Sequence, residues 1–114
     1  MVLLMNVGVC INMSIEKKTF ELRKFQFEDG IQLVGVFLSD VEPSDNFNKY
    51  IITLNDDNTV IVKNIQRNWG KDDVSVICHR ALYESEAKML KNKIIKAEDD
   101  NDFKDILYKI IINC

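Results

Sequence analysis

Cys78-His79 sets a thiol beside an imidazole, the pairing that would make a nucleophilic thiolate at neutral pH. Adjacency works against it. Val74 to Cys78 (VSVIC) reads as a strand, and neighbouring strand side chains point to opposite faces, so residues one apart do not share a hydrogen bond. His79 is the only histidine, so a cysteine-dependent enzyme using Cys78 would need irregular backbone at this point. The preferred reading is a buried Cys78 beside a surface His79, because free cysteine commonly serves as a small core residue. No catalytic residue is assigned, and the chain is read as non-enzymatic.

Metal chemistry finds no better footing. One histidine and three cysteines (Cys10, Cys78 and Cys114) offer none of the paired spacings that zinc requires. The acidic run from Glu98 to Asp102 lacks the alternating Asp ligands, the glycine and the distant Glu of a calcium loop, and reads as a solvated turn between helices. Asn55 to Asn58 reads as a hairpin tip. Gly8, Gly30, Gly35 and Gly70 stand apart, so no phosphate loop exists, and no GxSxG accompanies the single histidine. Ser85-Glu86-Ala87-Lys88 matches an SxxK string without its companion motifs, and a serine in the first turn of a helix is commonplace. Neither a metal nor a cofactor is expected.

The segment Arg67-Asn68-Trp69-Gly70-Lys71 holds the candidate binding residues. Trp69 presents a large flat face, Arg67 and Lys71 suit phosphate or carboxylate, and Asn68 can read a base edge. With Arg80 this set would hold a small anionic ligand such as a nucleotide. The competing reading has Trp69 folded over the sheet edge as a core lid, with the two cations reaching to water.

These residues need a scaffold, and the patterning supplies one. From Lys18 the period is two, with Phe20 and Leu22 on one parity and Phe25 and Phe27 on the other; a bulge or bend at Arg23-Lys24 is expected to reverse the faces. Asp29-Gly30 supplies the positive φ angles of a tight turn. Ile31 to Ser39 is apolar on both parities, so both its faces should be covered, and Gly35 marks a bend or a close approach. Asp40 to Asn48 is a loop holding the only proline. Tyr50 to Leu54 and Thr59 to Ile65 form a second hairpin, and Gln66 to Asp73 is a polar connection to the run Val74 to Cys78.

After Arg80 the period becomes helical. Tyr83, Ala87, Leu90, Ile94 and Ala97 form one stripe, with Glu84 and Lys88 one turn apart. Asn101 or Asp100 caps a final helix bearing Phe103, Ile106, Leu107, Ile110 and Ile111, and a strand is the alternative for Ile110 to Ile112. The fold class is therefore α+β: about five antiparallel strands in meander order, able to curl towards a small barrel, then two C-terminal amphipathic helices. The second helix is apolar on more than one side, which points to a homodimer joined through these helices.

Composition bounds the function. At 114 residues with 46% hydrophobic and 29% charged residues, the chain suits one domain with its own core. A net charge of −3 and an isoelectric point near 5.1 disfavour nucleic acid as a partner. The odd cysteine count suits reduced thiols in a cytoplasmic protein. Residues 1–13 are almost wholly apolar but have no basic residue ahead of the run, no cleavage site and too little length to span a bilayer; they read as an extra strand or as a start placed too early, with Met5 or Met13 the true one. Residues 14–114 form the single domain. The expected function is a protein-interaction module, with small-anion binding as the alternative and the Cys78 enzyme as a further one.

Overall fold

The computed structural model describes residues 19–38 and 46–114; residues 1–13 and most of the proline-bearing loop lie outside that range. Five strands form one antiparallel sheet in meander order: β1 (Phe20–Phe27), β2 (Gly30–Leu38), β3 (Phe47–Asn55), β4 (Thr59–Asn68) and β5 (Lys71–Ala81). Two helices follow, α1 (Glu84–Lys96) and α2 (Asp100–Ile111). β1 and β5 are the edges and do not pair, so the described sheet stays open rather than closing into a barrel.

The helices cover one face. α2 lies against β1 and β5, and α1 against β2. Between the layers sit Leu33, Ile52, Val60 and Val62 from the strands and Ile94 and Phe103 from the helices, all fully buried. Each such side chain contributes about 1.5–3 kcal/mol on leaving water. Gly35 shows why that position has no side chain: a Cβ there would stand 2.5 Å from the Phe103 ring, so the close approach anticipated at Gly35 is the seat of that ring.

β1 is unbroken. Its register with β2 runs from Phe20↔Phe37 to Phe27↔Gly30 without a shift, so no bulge occurs at Arg23-Lys24. Phe20 and Leu22 pack on the core, whereas Phe25 and Phe27 lie on the outward face, their rings stacked at 6.4 Å. Lys24 shares the inner face instead, donating from its Nζ to the Ile95 carbonyl of α1. The turn into β2 is also not the expected one. Glu28 and Asp29 are its central residues, and neither Asp29 nor Gly30 has a positive φ. Gly30 is required for space, since a Cβ would meet the Leu54 carbonyl oxygen at 2.6 Å.

β2 is apolar on both parities, yet only its inner face is covered by a described layer. Val34, on the outward face, is buried between Arg23 and Ile51 on the adjacent strands. β3 begins at Phe47, inside the segment read as loop. The polar stretch 66–73 likewise continues both strands: β4 runs to Asn68 and β5 starts at Lys71. The register shift in this hairpin falls at Val62/Lys63, where Val62 pairs with Cys78 and Lys63 with Val76, leaving Ile77 as the added residue.

The helices follow their stripes. Ala87, Leu90 and Ile94 are buried on α1 and Phe103, Ile106 and Ile110 on α2. Tyr83 departs from the stripe: it is the N-cap of α1 and exposed, while Glu86 Oε1 accepts its backbone N–H at 3.1 Å. Glu84 and Lys88 pair at 3.9 Å. Asp99 caps α2, accepting the Asp102 N–H at 2.8 Å, one residue before the expected cap. Ile110 and Ile111 are helical, not a strand. Beyond α2, Cys114 is disulfide-bonded to Cys78, with their Cα atoms 5.8 Å apart; two of the three cysteines are thus paired, contrary to the expectation of reduced thiols.

Candidate functional site

Two residues connect β4 to β5, Trp69 and Gly70, with φ of 56° and 79°. Two positive φ angles in a two-residue loop are the pattern of a type I′ turn, whose handedness matches the twist of the flanking strands. Gly70 meets this requirement at no cost, and an added Cβ would find open space there. Trp69 does not: its first position favours Asn, Asp or Gly, and a bulky residue there is an outlier. Its backbone N–H is held by Asn46 Oδ1 at 3.0 Å.

Trp69 is 77% exposed. It therefore does not fold over the sheet edge as a core lid; a two-residue turn leaves the ring at the end of the hairpin. Asn68 and Lys71 flank it, both exposed. Arg67 is engaged: its Nε and Nη2 donate to the two carboxylate oxygens of Asp72 at 2.6 and 2.9 Å, and its guanidinium lies 4.8 Å over the Phe47 ring. The hydrogen bond from Arg67 holds the Asp72 carboxyl below its ordinary value, against the opposing effect of desolvation.

Behind the tip, the outward face of the sheet mixes apolar residues with lysines. Cross-strand rows Lys49↔Ile65↔Val74 and Ile51↔Lys63↔Val76 lead away from it, and Val74 and Val76 are exposed, as is Ile77 at the bulge. No described element covers this face.

Arg80 belongs elsewhere. It lies nine residues along β5 from Lys71, about 30 Å at the rise of a strand, and on the inward face opposite Val60. There it lines a groove of about 290 Å³ between the end of β5, α1, α2 and the residues after α2. Its Nη1 stands 3.9 Å from Glu86 Oε2, and its Nε is buried without a hydrogen-bond partner. The binding set expected from sequence is thus divided: Arg67, Asn68, Trp69 and Lys71 stay together and Arg80 does not join them. Lys93 and Lys109, also on this groove, were not anticipated; nothing in the sequence signals them beyond two lysines on separate helices. Lys109 is paired with Asp105 at 3.2 Å, which holds its ammonium above the usual value, whereas the hydrogen bond and charge of Lys109 hold Lys93 below it. Phe47 was missed because 40–48 reads as a loop, and Asp72 because 66–73 reads as a connection; the available signal was the single Gly70 midway through the second segment.

Cys78 and His79 separate as adjacency requires. Cys78 is buried with its sulfur bonded to Cys114, and His79 is exposed opposite Ile61. Among the described residues no group of three His, Cys, Asp or Glu side chains is placed to hold a metal ion, and no helix is long and apolar enough to cross a membrane. No protein-family model, curated protein or solved structure matches this chain.

Proposed function

We propose that this protein is a non-enzymatic protein-interaction module that presents Trp69 as the anchor of its contact surface. The observation that carries this is the conformation of Trp69: a large aromatic, 77% exposed, in a left-handed turn position that a small polar residue would occupy at lower cost. Tryptophan and arginine dominate the energetics of protein interfaces, most of all where apolar neighbours exclude water around them. Arg67 over Phe47, and Val74 and Val76 on the adjoining outward face, supply that setting.

A nucleotide at the same tip has weaker support. Arg67 already holds Asp72, whose carboxylate stands beside any phosphate that would approach the same guanidinium. Self-association through the helices keeps one supporting observation, the exposed Ile95, Tyr108 and Ile112 on and beside them; sedimentation showing a folded monomer at micromolar concentration would end that reading. A cytoplasmic location rested on the odd cysteine count, and the Cys78–Cys114 bond removes that support.

The test is a comparative capture. A protein retained by immobilised wild-type chain should be lost from Trp69→Asn of equal stability, with affinity falling about 30-fold or more for an anchor of about 2 kcal/mol. Equal retention by both would remove Trp69 from the contact.

A further inference from the structure

The groove at the other end of β5 combines an apolar floor with excess positive charge. Leu90, Ile106 and Ile110 form the floor, and Met89 and Ile112 rise at its sides. Arg80, Lys93 and Lys109 line it; Glu86 stands 3.9 Å from Arg80 and Asp105 pairs with Lys109 at 3.2 Å, so Lys93 is the excess cation, on a chain whose formal charge is −3. Local charge of the opposite sign to the whole marks a place where an anion is favoured. Two features show that the cations are not satisfied by one another's partners. The Arg80 Nε is buried with no acceptor, although buried donors are nearly always paired. Lys93 faces Lys109, and only Asp105 lies near both. An anion between the two ammonium groups would relieve their repulsion.

We infer that this groove binds a small amphiphilic monoanion, a medium-chain alkyl carboxylate whose head sits among Lys93, Lys109 and Arg80 and whose tail lies on Leu90, Ile106 and Ile110. Its volume of about 290 Å³ is at the lower end of the roughly 300–1,000 Å³ of ligand sites, which favours a short chain over a nucleotide. The combination of apolar lining with a few converging polar groups is that of a small-molecule site. This inference is independent of the Trp69 surface, which lies at the opposite end of β5.

Octanoate is the probe, with octylamine as the same tail under the opposite charge and acetate as the head without the tail. Titration of the ¹⁵N-labelled full chain should give saturable shifts at Leu90, Lys93 and Ile110 with octanoate alone. Lys93→Gln/Lys109→Gln, altering two solvent-accessible side chains, should weaken octanoate by at least about tenfold. Met89→Glu, at a residue 61% exposed and therefore compatible with folding, should abolish it by placing a carboxylate in the wall. Absence of saturable shifts up to the solubility of octanoate would overturn the inference. So would equal shifts with octylamine, or unchanged affinity in folded variants.

Discussion

Replacing Trp69 by Asn tests whether the tip stores strain or packing. Two opposing effects set the magnitude. A non-glycine residue in the left-handed region is disfavoured by about 1–2 kcal/mol, and Asn is among the residues that tolerate it best. Against this stands the lost shelter of the ring. With 77% of Trp69 exposed, less than a quarter of it is covered; for a side chain that buries at most about 250 Å², this is ~60 Å² and at most ~1.4 kcal/mol at 25 cal/mol per Å². A compact denatured state lowers that further. The net expectation lies between no change and a gain of about 1 kcal/mol, or up to ~5 °C in Tm for a domain of this size. A packed tryptophan would instead lose about 3–5 kcal/mol on truncation. Trp69→Ala separates the terms, because it removes the same ring but stays strained; it should be about 1 kcal/mol less stable than Trp69→Asn. Thermal unfolding followed by circular dichroism, with urea titration as the second measure, reads both differences. A fall of 2 kcal/mol or more in Trp69→Asn, or equal stability of the Asn and Ala variants, would refute the strain argument.

Gly35→Ala should destabilise by about 1–3 kcal/mol, since the new Cβ would overlap the fully buried Phe103 ring; Phe103→Leu in the same chain should make the two losses less than additive, and strict additivity in urea titrations would contradict that contact. Cys114→Ser opens a covalent loop spanning 36 residues, for which chain entropy gives about 3–4 kcal/mol; coincident denaturation midpoints for the native and variant chains would show that the bond contributes nothing. Asp72 has a folded-state pKa held below its ordinary value by Arg67. The stability it contributes is therefore complete above the unfolded carboxylate range and is lost as pH falls through the lowered value. Carboxyl NMR titration should show that low midpoint, and Arg67→Gln should raise it to the ordinary range; an unmoved midpoint would mean the pair does not persist in solution.

How much of this was legible depended on whether a residue's role is local. The α1 stripe is legible because Ala87, Leu90 and Ile94 repeat on one face and all three are buried. Gly35 announced a close approach by its position inside an apolar strand, though Phe103, 68 residues later, could not be named from that signal. β1 is misleading because Phe25 and Phe27 look like core residues by type alone. Lys24 takes the inner position and reaches the end of α1, while the two rings stack on each other outside, an arrangement that depends on where a helix ends. Gln66 to Asp73 misled for a different reason. Its polar residues are what an exposed hairpin end carries, and composition does not distinguish a strand pair that projects past its covering helices from a connection between strands.

The grouping of Arg80 with Arg67 failed through face as much as distance. Val74, Val76, Cys78 and Arg80 share one sequence parity, so an unbroken strand would place all four on one side. The added residue Ile77 reverses this: Val76 stands opposite Lys63 on the outward face, and Cys78 opposite Val62 on the inward one. One inserted position therefore lets a single edge strand serve two surfaces. Its first half sets Val74 and Val76 on the outward face behind Trp69, and its second half carries Cys78 to its bond with Cys114 and Arg80 to the cationic groove. The bulge also interrupts an eleven-residue edge strand that would otherwise be a long regular template for pairing with another chain. The same irregularity thus separates the two candidate sites and limits unspecific edge pairing, which leaves the Trp69 end as the more exposed of the two for a specific contact.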